Sequence, residues 1–479
     1  MGEVRLNGLA LANVARDRDV SVDKIIELFC KIGSRETTFR LCNHDIPFLR
    51  DRDQHRFLGK PIGYNLCKDF SCVNDAISIG MKLLTSKLAP WQRLDALRTF
   101  FYPALQFYMR TGQFGKEDWK RIDSALRREI KKTLNLPVEA SNNYLYGSRE
   151  AGCCGLPILA EDSDLYLADT ALKLLSSRDP IVRDIALQHL KETSGGRLQR
   201  DVSEVDVANF LSGSMEDEFQ TSTNNISNCW TRARIASRRS GISWSFHQWK
   251  PLILFEGEAV RPTTRKSLLK VLRSKLRDKR TAALISLRNQ GKAMECVAAS
   301  PSSSHFLYSG DYTQFCDWRF IHRARLNLVR LNGAKTWSSD ANALCRKCGR
   351  DRETLPHVLN HCWSFSNLMQ QRHNAVLDRI VRAARYKCAV LSVNETVIPG
   401  NPLPPDAVIK RGDSIFILDV TIAFENRKAA FEAARTRKIE KYQGSSITSK
   451  LPIVMLPSYP SSLARLGLGT LLTMPSSGE

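Results

Sequence analysis

The feature that most limits how this chain can fold is a set of cysteines and a histidine in its C-terminal half. Cys345-Arg346-Lys347-Cys348 is followed by His357 and then by Cys362. Two thiolates on a short turn, with an imidazole and a thiolate from one helical turn, can close a tetrahedral structural zinc (Zn2+) site. His361 is an alternative or competing fourth ligand. The plainer reading is a group of buried apolar cysteines. Their concentration in so short and basic a segment favours the metal.

Downstream, Pro405 to Tyr442 places two aspartates and a lysine where a metal-dependent nuclease would need them. Ala407 to Arg411 and Ser414 to Leu418 read as the arms of a hairpin around a Gly412-Asp413 turn. Counting outward from that turn pairs Asp406 with Asp419 on one sheet face. Opposed side chains of this kind have Cβ atoms about 5 Å apart, where two carboxylates repel unless a cation lies between them. A divalent metal answers that demand.

Asn426 can cap a helix from Arg427 to Tyr442 whose apolar side carries Phe431, Ala434, Ile439 and Tyr442. Lys438 falls in the middle of that side and Lys441 at its edge. An inward lysine needs a counter-charge or a task. Beside two carboxylates and a metal it can orient or deprotonate the attacking water and offset charge developing on a phosphate. The competing reading is a hairpin with two surface aspartates and a solvated lysine.

With 71 Lys plus Arg against 49 Asp plus Glu, the formal charge is +22, enough to attract a polyanion over long range. The excess is clustered. Between Arg265 and Lys292, basic residues decorate a helical pattern whose apolar positions include Leu268, Leu269, Leu272 and Leu276. Trp119, Ile122, Leu126 and Ile130 mark a second such helix, with Lys120, Arg121, Arg127, Arg128, Lys131 and Lys132 expected on its exposed side. Persistence over two long helices favours phosphate contact over a merely solvated surface. Thirteen cysteines without a disulfide-like framework fit a reducing compartment, cytosol or nucleus. The N-terminal residues lack a signal-peptide core, and no run of about 18 apolar residues occurs, so membrane insertion is not expected.

At 479 residues the chain exceeds what one core ordinarily organises, and several domains are expected. Residues 76 to 195 read mainly as helices, with stops at Pro137 and at Gly195-Gly196. A polar run, Ser212 to Asn228, reads as a loop or seam, and residues 300 to 304 as a flexible break. Phe365 to Tyr386 reads as a helix, followed by the hairpin, the Lys438 helix and a strand at Leu451 to Leu456. That α-β-β-α-β order suits a mixed nuclease sheet.

The order of these parts resembles a known family. The CCHC knuckle, Arg372-His373-Asn374, Pro405-Asp406, Asp419 and Lys438-Ile439-Glu440-Lys441-Tyr442 look like the C-terminal region of site-specific non-LTR retrotransposon polyproteins, which insert into ribosomal RNA genes. Upstream, Phe57-Leu58-Gly59, Leu88-Ala89-Pro90-Trp91-Gln92, Trp119 through Pro137, Gly152-Cys153-Cys154-Gly155-Leu156-Pro157 and Asp317 to Leu326 agree in the same order. The resemblance covers nearly the whole chain. It implies a multidomain protein: the end of a reverse transcriptase palm (1–75), an α-helical thumb (76–195), a basic helical linker (196–340), a small zinc knuckle (341–364) and an α/β restriction-endonuclease-like domain (365–479).

The resemblance also implies a PD-(D/E)xK nuclease in which Asp406 and Asp419 hold Mg2+ and Lys438 and Lys441 complete the catalytic set. Arg372, His373, Arg319, Arg323 and Arg325 would contact nucleic acid. Cys345, Cys348, His357 and Cys362 would hold Zn2+. Double-stranded target DNA and element RNA would be the partners, and the nucleus the place of action, with the nick supplying a 3′-hydroxyl for reverse transcription. Two departures stand out. Pro404 occupies a place where the family usually has a basic residue. No adjacent pair of aspartates occurs, so the polymerase metal motif is expected to be absent and the chain to represent a truncated element or an incomplete gene product. The other expected function is a catalytically idle nucleic-acid-binding relic. His373 could touch the scissile phosphate or simply pack, and Glu425 could be a further metal ligand.

Overall fold

The computed structural model describes residues 70–111, 114–219, 227–260, 267–310, 313–334, 343–395 and 404–443, and short strands on either side of them. In chain order these begin with β1 (Phe39–Leu41), β2 (His44–Ile46), β3 (His55–Phe57) and β4 (Lys60–Ile62). Helices α1 (Ser71–Thr85), α2 (Pro90–Ala96), α3 (Lys116–Thr133), α4 (Leu159–Leu175), α5 (Pro180–Leu198), α6 (Glu204–Ser212) and α7 (Cys229–Ser240) follow. A meander of β5 (Ile242–His247), β6 (Lys250–Phe255) and β7 (Glu258–Val260) precedes α8 (Ser267–Ser286), α9 (Lys292–Ala298) and α10 (Phe315–Arg325). The C-terminal part carries α11 (Ser366–Ala384), β8 (Ala389–Val393), β9 (Ala407–Arg411), β10 (Ser414–Leu418), β11 (Val420–Ala423), α12 (Arg427–Gln443) and β12 (Val454–Pro457). Most of the expected palm remnant, and the side chain of Lys441, lie outside the described residues.

The chain divides into two compact units. The first joins residues 1–81, 99–126 and 158–273. Its centre is α4, which packs against α5 and α7. The carboxylate of Asp123 accepts from the Leu159 and Ala160 amides at 3.0 Å each, neutralising the N-terminal end of α4. Asp162 on the same helix takes a two-pronged bond from Arg273, so that one cation of the basic α8 pattern is spent internally. The glycines expected to stop α5 do not, since the helix runs through Gly195-Gly196 to Leu198. A Cβ at Gly195 would lie 2.9 Å from the Arg200 carbonyl, so the glycine serves the close return of the chain after the helix.

The second unit joins residues 82–98, 127–157 and 274–479. Here the Gly152-to-Pro157 turn meets α10 in a buried polar cluster. The Tyr144 hydroxyl lies 2.7 Å from Nδ1 of His322, and both residues are fully enclosed. Arg325, only 2% exposed, donates to the Gly152 carbonyl, to Ser304 Oγ at 3.0 Å and to the Ser303 carbonyl at 2.8 Å. The segment expected to be a flexible break is therefore a 3-10 turn, Pro301–Ser304, whose last two serines are buried and satisfy a guanidinium. Burial pushes the Cys153 and Cys154 thiols up to about 12, which makes them packing groups rather than nucleophiles.

Lys131 also departs from the exposed cationic face expected of α3. It is 8% exposed and donates to the Val138 and Ala140 carbonyls at 2.7 and 2.6 Å. The apolar side of that helix is as expected, with Trp119, Ile122, Leu126 and Ile130 buried.

Burial, then the charge of Arg325, holds the His322 imidazole well below its ordinary range, so it stays neutral in the native state. The unfolded chain binds that proton below about pH 6.5, so stability falls as pH drops through that value, by up to about 1.4 kcal/mol per pH unit. Urea melts between pH 5 and 7.5 should show this slope, and His322→Gln should flatten it. An unchanged slope in the variant would assign the effect elsewhere.

Candidate functional site

The C-terminal hairpin has the expected arms and register: Ser414 opposes Arg411, and the ladder runs out to Leu418 opposite Ala407. Gly412 turns it with a left-handed φ of 58°, which a glycine adopts without strain. The expected single mixed sheet is instead two small ones. Antiparallel β8 joins β9 and β10, while β11 leaves the hairpin and pairs in parallel with β12. β8 was not foreseen. Asp419 occupies the break between β10 and β11, and Asp406 precedes β9. Beneath them lies an apolar core of Val376, Leu377, Ile380, Val381, Ala407, Leu418 and Val420, which packs α11 against the strands.

The two aspartates are tied together through one peptide. Asp406 Oδ2 accepts from the Val420 amide at 2.5 Å, and Val420 directly follows Asp419. Asp419 is 2% exposed, and its Oδ1 receives Lys438 Nζ at 2.6 Å from α12. The inward lysine inferred from helical phase thus meets a carboxylate. From α11, His373 Nε2 lies 3.2 Å from both Asp406 Oδ2 and the Val420 carbonyl. The hydrogen bond to Asp406 raises the His373 imidazole above its ordinary value and opposes the effect of burial.

Arg372 is half-buried. Its Nη2 donates to the Leu359 carbonyl and to Asn360 Oδ1, both at 3.0 Å, and its charge senses Glu425. Glu425 itself is 1% exposed.

The cysteine and histidine set converges. The candidate ligand atoms of Cys345, Cys348, His357 and Cys362 all lie within 4.8 Å of one another. The Cys345 and Cys362 sulfurs are 3.9 Å apart, and Cys348 Sγ is 3.4 Å from His357 Nε2. A tetrahedron with Zn–S bonds of about 2.3 Å has edges of about 3.8 Å, so the group fits zinc. His357 Nδ1 lies 3.7 Å from the exposed carboxylate of Asp351, beyond hydrogen-bond range. Backbone N–H groups of Asp351 and Arg350 at Cys348 bring its thiol down to about 6, favouring the thiolate that a metal requires. His361 is exposed and stands outside the group. Asn360, from the same turn, donates to the Ile422 carbonyl at 3.1 Å, linking the knuckle to β11.

The three linker arginines separate. Arg319 is exposed on α10. Arg323 bonds the Asn135 backbone carbonyl and, at 3.1 Å, its side-chain oxygen. Arg325 is the buried strut described above, so the expectation that it contacts nucleic acid is corrected: an enclosed guanidinium whose donors serve carbonyls and a hydroxyl does not reach a phosphate. No helix among the described residues is long and apolar enough to cross a membrane.

No protein-family model matches the chain. It is 23% identical over 421 residues to the retrovirus-related Pol polyprotein from type-2 retrotransposable element R2DM of Drosophila melanogaster, a match covering 86% of this chain and 33% of that protein. It is also 21% identical over 322 residues to an uncharacterized protein of Caenorhabditis elegans, covering 62% of this chain and 90% of that one. The chain spans about a third of the length of the Pol polyprotein it matches. That homology supports a non-LTR retrotransposon origin.

Proposed function

We propose that the chain is a retrotransposon-derived, Mg2+-dependent DNA endonuclease that nicks double-stranded DNA and uses a zinc knuckle as structural support. One observation carries the reading: the buried Asp419 receives Lys438 at 2.6 Å, one residue from the amide that fixes Asp406. Paired carboxylates beside an inward ammonium supply hard oxygen donors and a cation at one point, a donor set suited to Mg2+ and a phosphodiester. Asp406 and Asp419 would hold the ion, whose contribution when bound is to polarise the phosphate and acidify water.

The chain's own groups do the rest. Lys438 orients the attacking water and offsets negative charge on the phosphate in the transition state. His373 holds Asp406 against the Val420 peptide. In the hydrolysis water adds to phosphorus, the bond to the 3′ oxygen breaks, and that oxygen takes up a proton, leaving a 3′-hydroxyl that could prime reverse transcription. The restriction-endonuclease-like domain, at 365–479, would act on nuclear target DNA. Element RNA is the second proposed partner, met by the basic helices and by Arg319. Lys441 is assigned a phosphate contact on the same reading.

The test is nicking of supercoiled DNA by the full chain in Mg2+, with Asp406→Ala, Asp419→Ala and Lys438→Ala variants beside it. Nicking by wild type alone is the expected result. Salt-sensitive DNA binding without nicking, even in Mn2+, would replace this reading with that of a nucleic-acid-binding relic.

A further inference from the structure

The helix that carries Lys438 is anchored at its first residue by a side chain far away in sequence. Arg427 Nη1 lies 2.9 Å from Glu295 Oε2 and 3.4 Å from the Ile285 carbonyl, and Nη2 is 3.4 Å from the Leu287 carbonyl. The other Glu295 oxygen accepts from the Lys428 amide at 3.4 Å. Both residues belong to the second unit, and α9 packs against α12 there.

Helix-end electrostatics explain the arrangement. A helix favours cations at its C-terminus and anions at its N-terminus. Yet α8 carries no basic residue in its last turn, and α12 no acidic residue in its first. Each helix receives the missing charge from elsewhere: Arg427 serves the Ile285 carbonyl in the last turn of α8 and the Leu287 carbonyl just after it, and Glu295 serves the Lys428 amide at the start of α12. The carbonyls are crowded together by the turn after α8, where a Cβ on Gly291 would lie 2.2 Å from the Ile285 oxygen and 2.6 Å from those of Leu284 and Leu287. Arg427 also holds a left-handed φ of 65°, a conformation that any residue with a Cβ adopts at a cost and that persists where surroundings fix it.

We propose that Glu295 and Arg427 form a positioning latch that sets α12 so that Lys438 meets Asp419. The inference rests on the endonuclease reading for its consequence in catalysis, but not for the latch itself. Neither residue touches the reacting atoms. Because the latch fixes one end of the helix and Lys438 lies three turns further on, its loss tilts the ammonium without removing any group from the site.

The test uses the full chain with Glu295→Gln, Arg427→Gln, the double variant and Arg427→Lys, read by hydrogen exchange and by Mg2+-dependent nicking. Residues 427–443 should exchange faster in Glu295→Gln while 366–384 keep wild-type protection. The nicking kcat should fall about tenfold in either Gln variant and no further in the double, with KM for DNA within about twofold of wild type. Arg427→Lys, which keeps the charge but loses the fork, should recover part of kcat. Unchanged exchange over 427–443, loss of protection throughout the unit, or single effects that multiply in the double variant would each overturn the latch. If wild type does not nick, the endonuclease reading fails and the exchange comparison alone decides the latch.

Discussion

Asp419→Asn should lower the nicking rate by at least about 10³-fold and leave DNA affinity within about threefold of wild type, because it removes charge from the reacting centre and little from the binding surface. The asparagine is nearly isosteric, so the break between β10 and β11 keeps its shape around a side chain that is 2% exposed. What changes is the partner of Lys438, whose ammonium loses its counter-charge at 2.6 Å. Lys438 is partly exposed and can swing toward water, so the expected stability loss stays within about 1 kcal/mol. Lys438→Ala should give a comparable rate loss. The double variant should be little worse than either single, since the two groups act as one unit. Plasmid nicking and filter binding on the same preparations check this, and an Asp419→Asn protein that nicks within tenfold of wild type would exclude the carboxylate from the chemistry.

Legibility followed the range of the interactions involved. The hairpin was readable because a two-residue turn fixes register by counting, and the direction of Lys438 because helical phase is periodic; both are local. The convergence of Cys345, Cys348, His357 and Cys362 was readable because metal chemistry restricts residue type and spacing. Long-range placement was not readable. Nothing local distinguishes Arg325 from Arg319 on one short helix, yet one is a buried strut and the other exposed. Lys131 follows the spacing of a solvated face, but its Nζ is taken by two carbonyls of the loop that returns beneath it. The serine run at 300 to 304 has the composition of a linker and forms a turn whose Ser303 and Ser304 are buried because a guanidinium needs acceptors. His373 had a local motif but no local reason to meet Asp406, and that contact depends on α11 packing across the strands. Arg372 shows the same limit: its charge marked it as a phosphate contact, while the fold spends it on the knuckle.

That docking of Arg372 ties the candidate zinc group to the proposed nuclease site, and metal removal should therefore reach that site. Structural zinc contributes roughly 10 kcal/mol or more to the folding of small zinc modules, so the turn at His357–His361, which lies between the candidate ligands His357 and Cys362, should not persist once the ion is lost. With it go two attachments: Arg372 to the Leu359 carbonyl and Asn360, one residue before His373, and Asn360 to the Ile422 carbonyl, two residues after Val420. Both lead to the groups that fix Asp406. Cys362→Ser, or zinc withdrawal by a chelator that spares Mg2+, should lower the nicking rate by about 10²-fold, the size of loss that a displacement of about 1 Å can produce. The emission of Trp363, exposed directly beside the Cys362 ligand, should change in step with zinc release. Returning Zn2+ should restore both signals to the chelated protein but not to the Cys362→Ser variant. A protein that releases zinc and alters its fluorescence while nicking at the wild-type rate would show that the knuckle supports binding or folding elsewhere, and that α11 holds His373 against Asp406 through the apolar core of Val376, Leu377 and Ile380 alone.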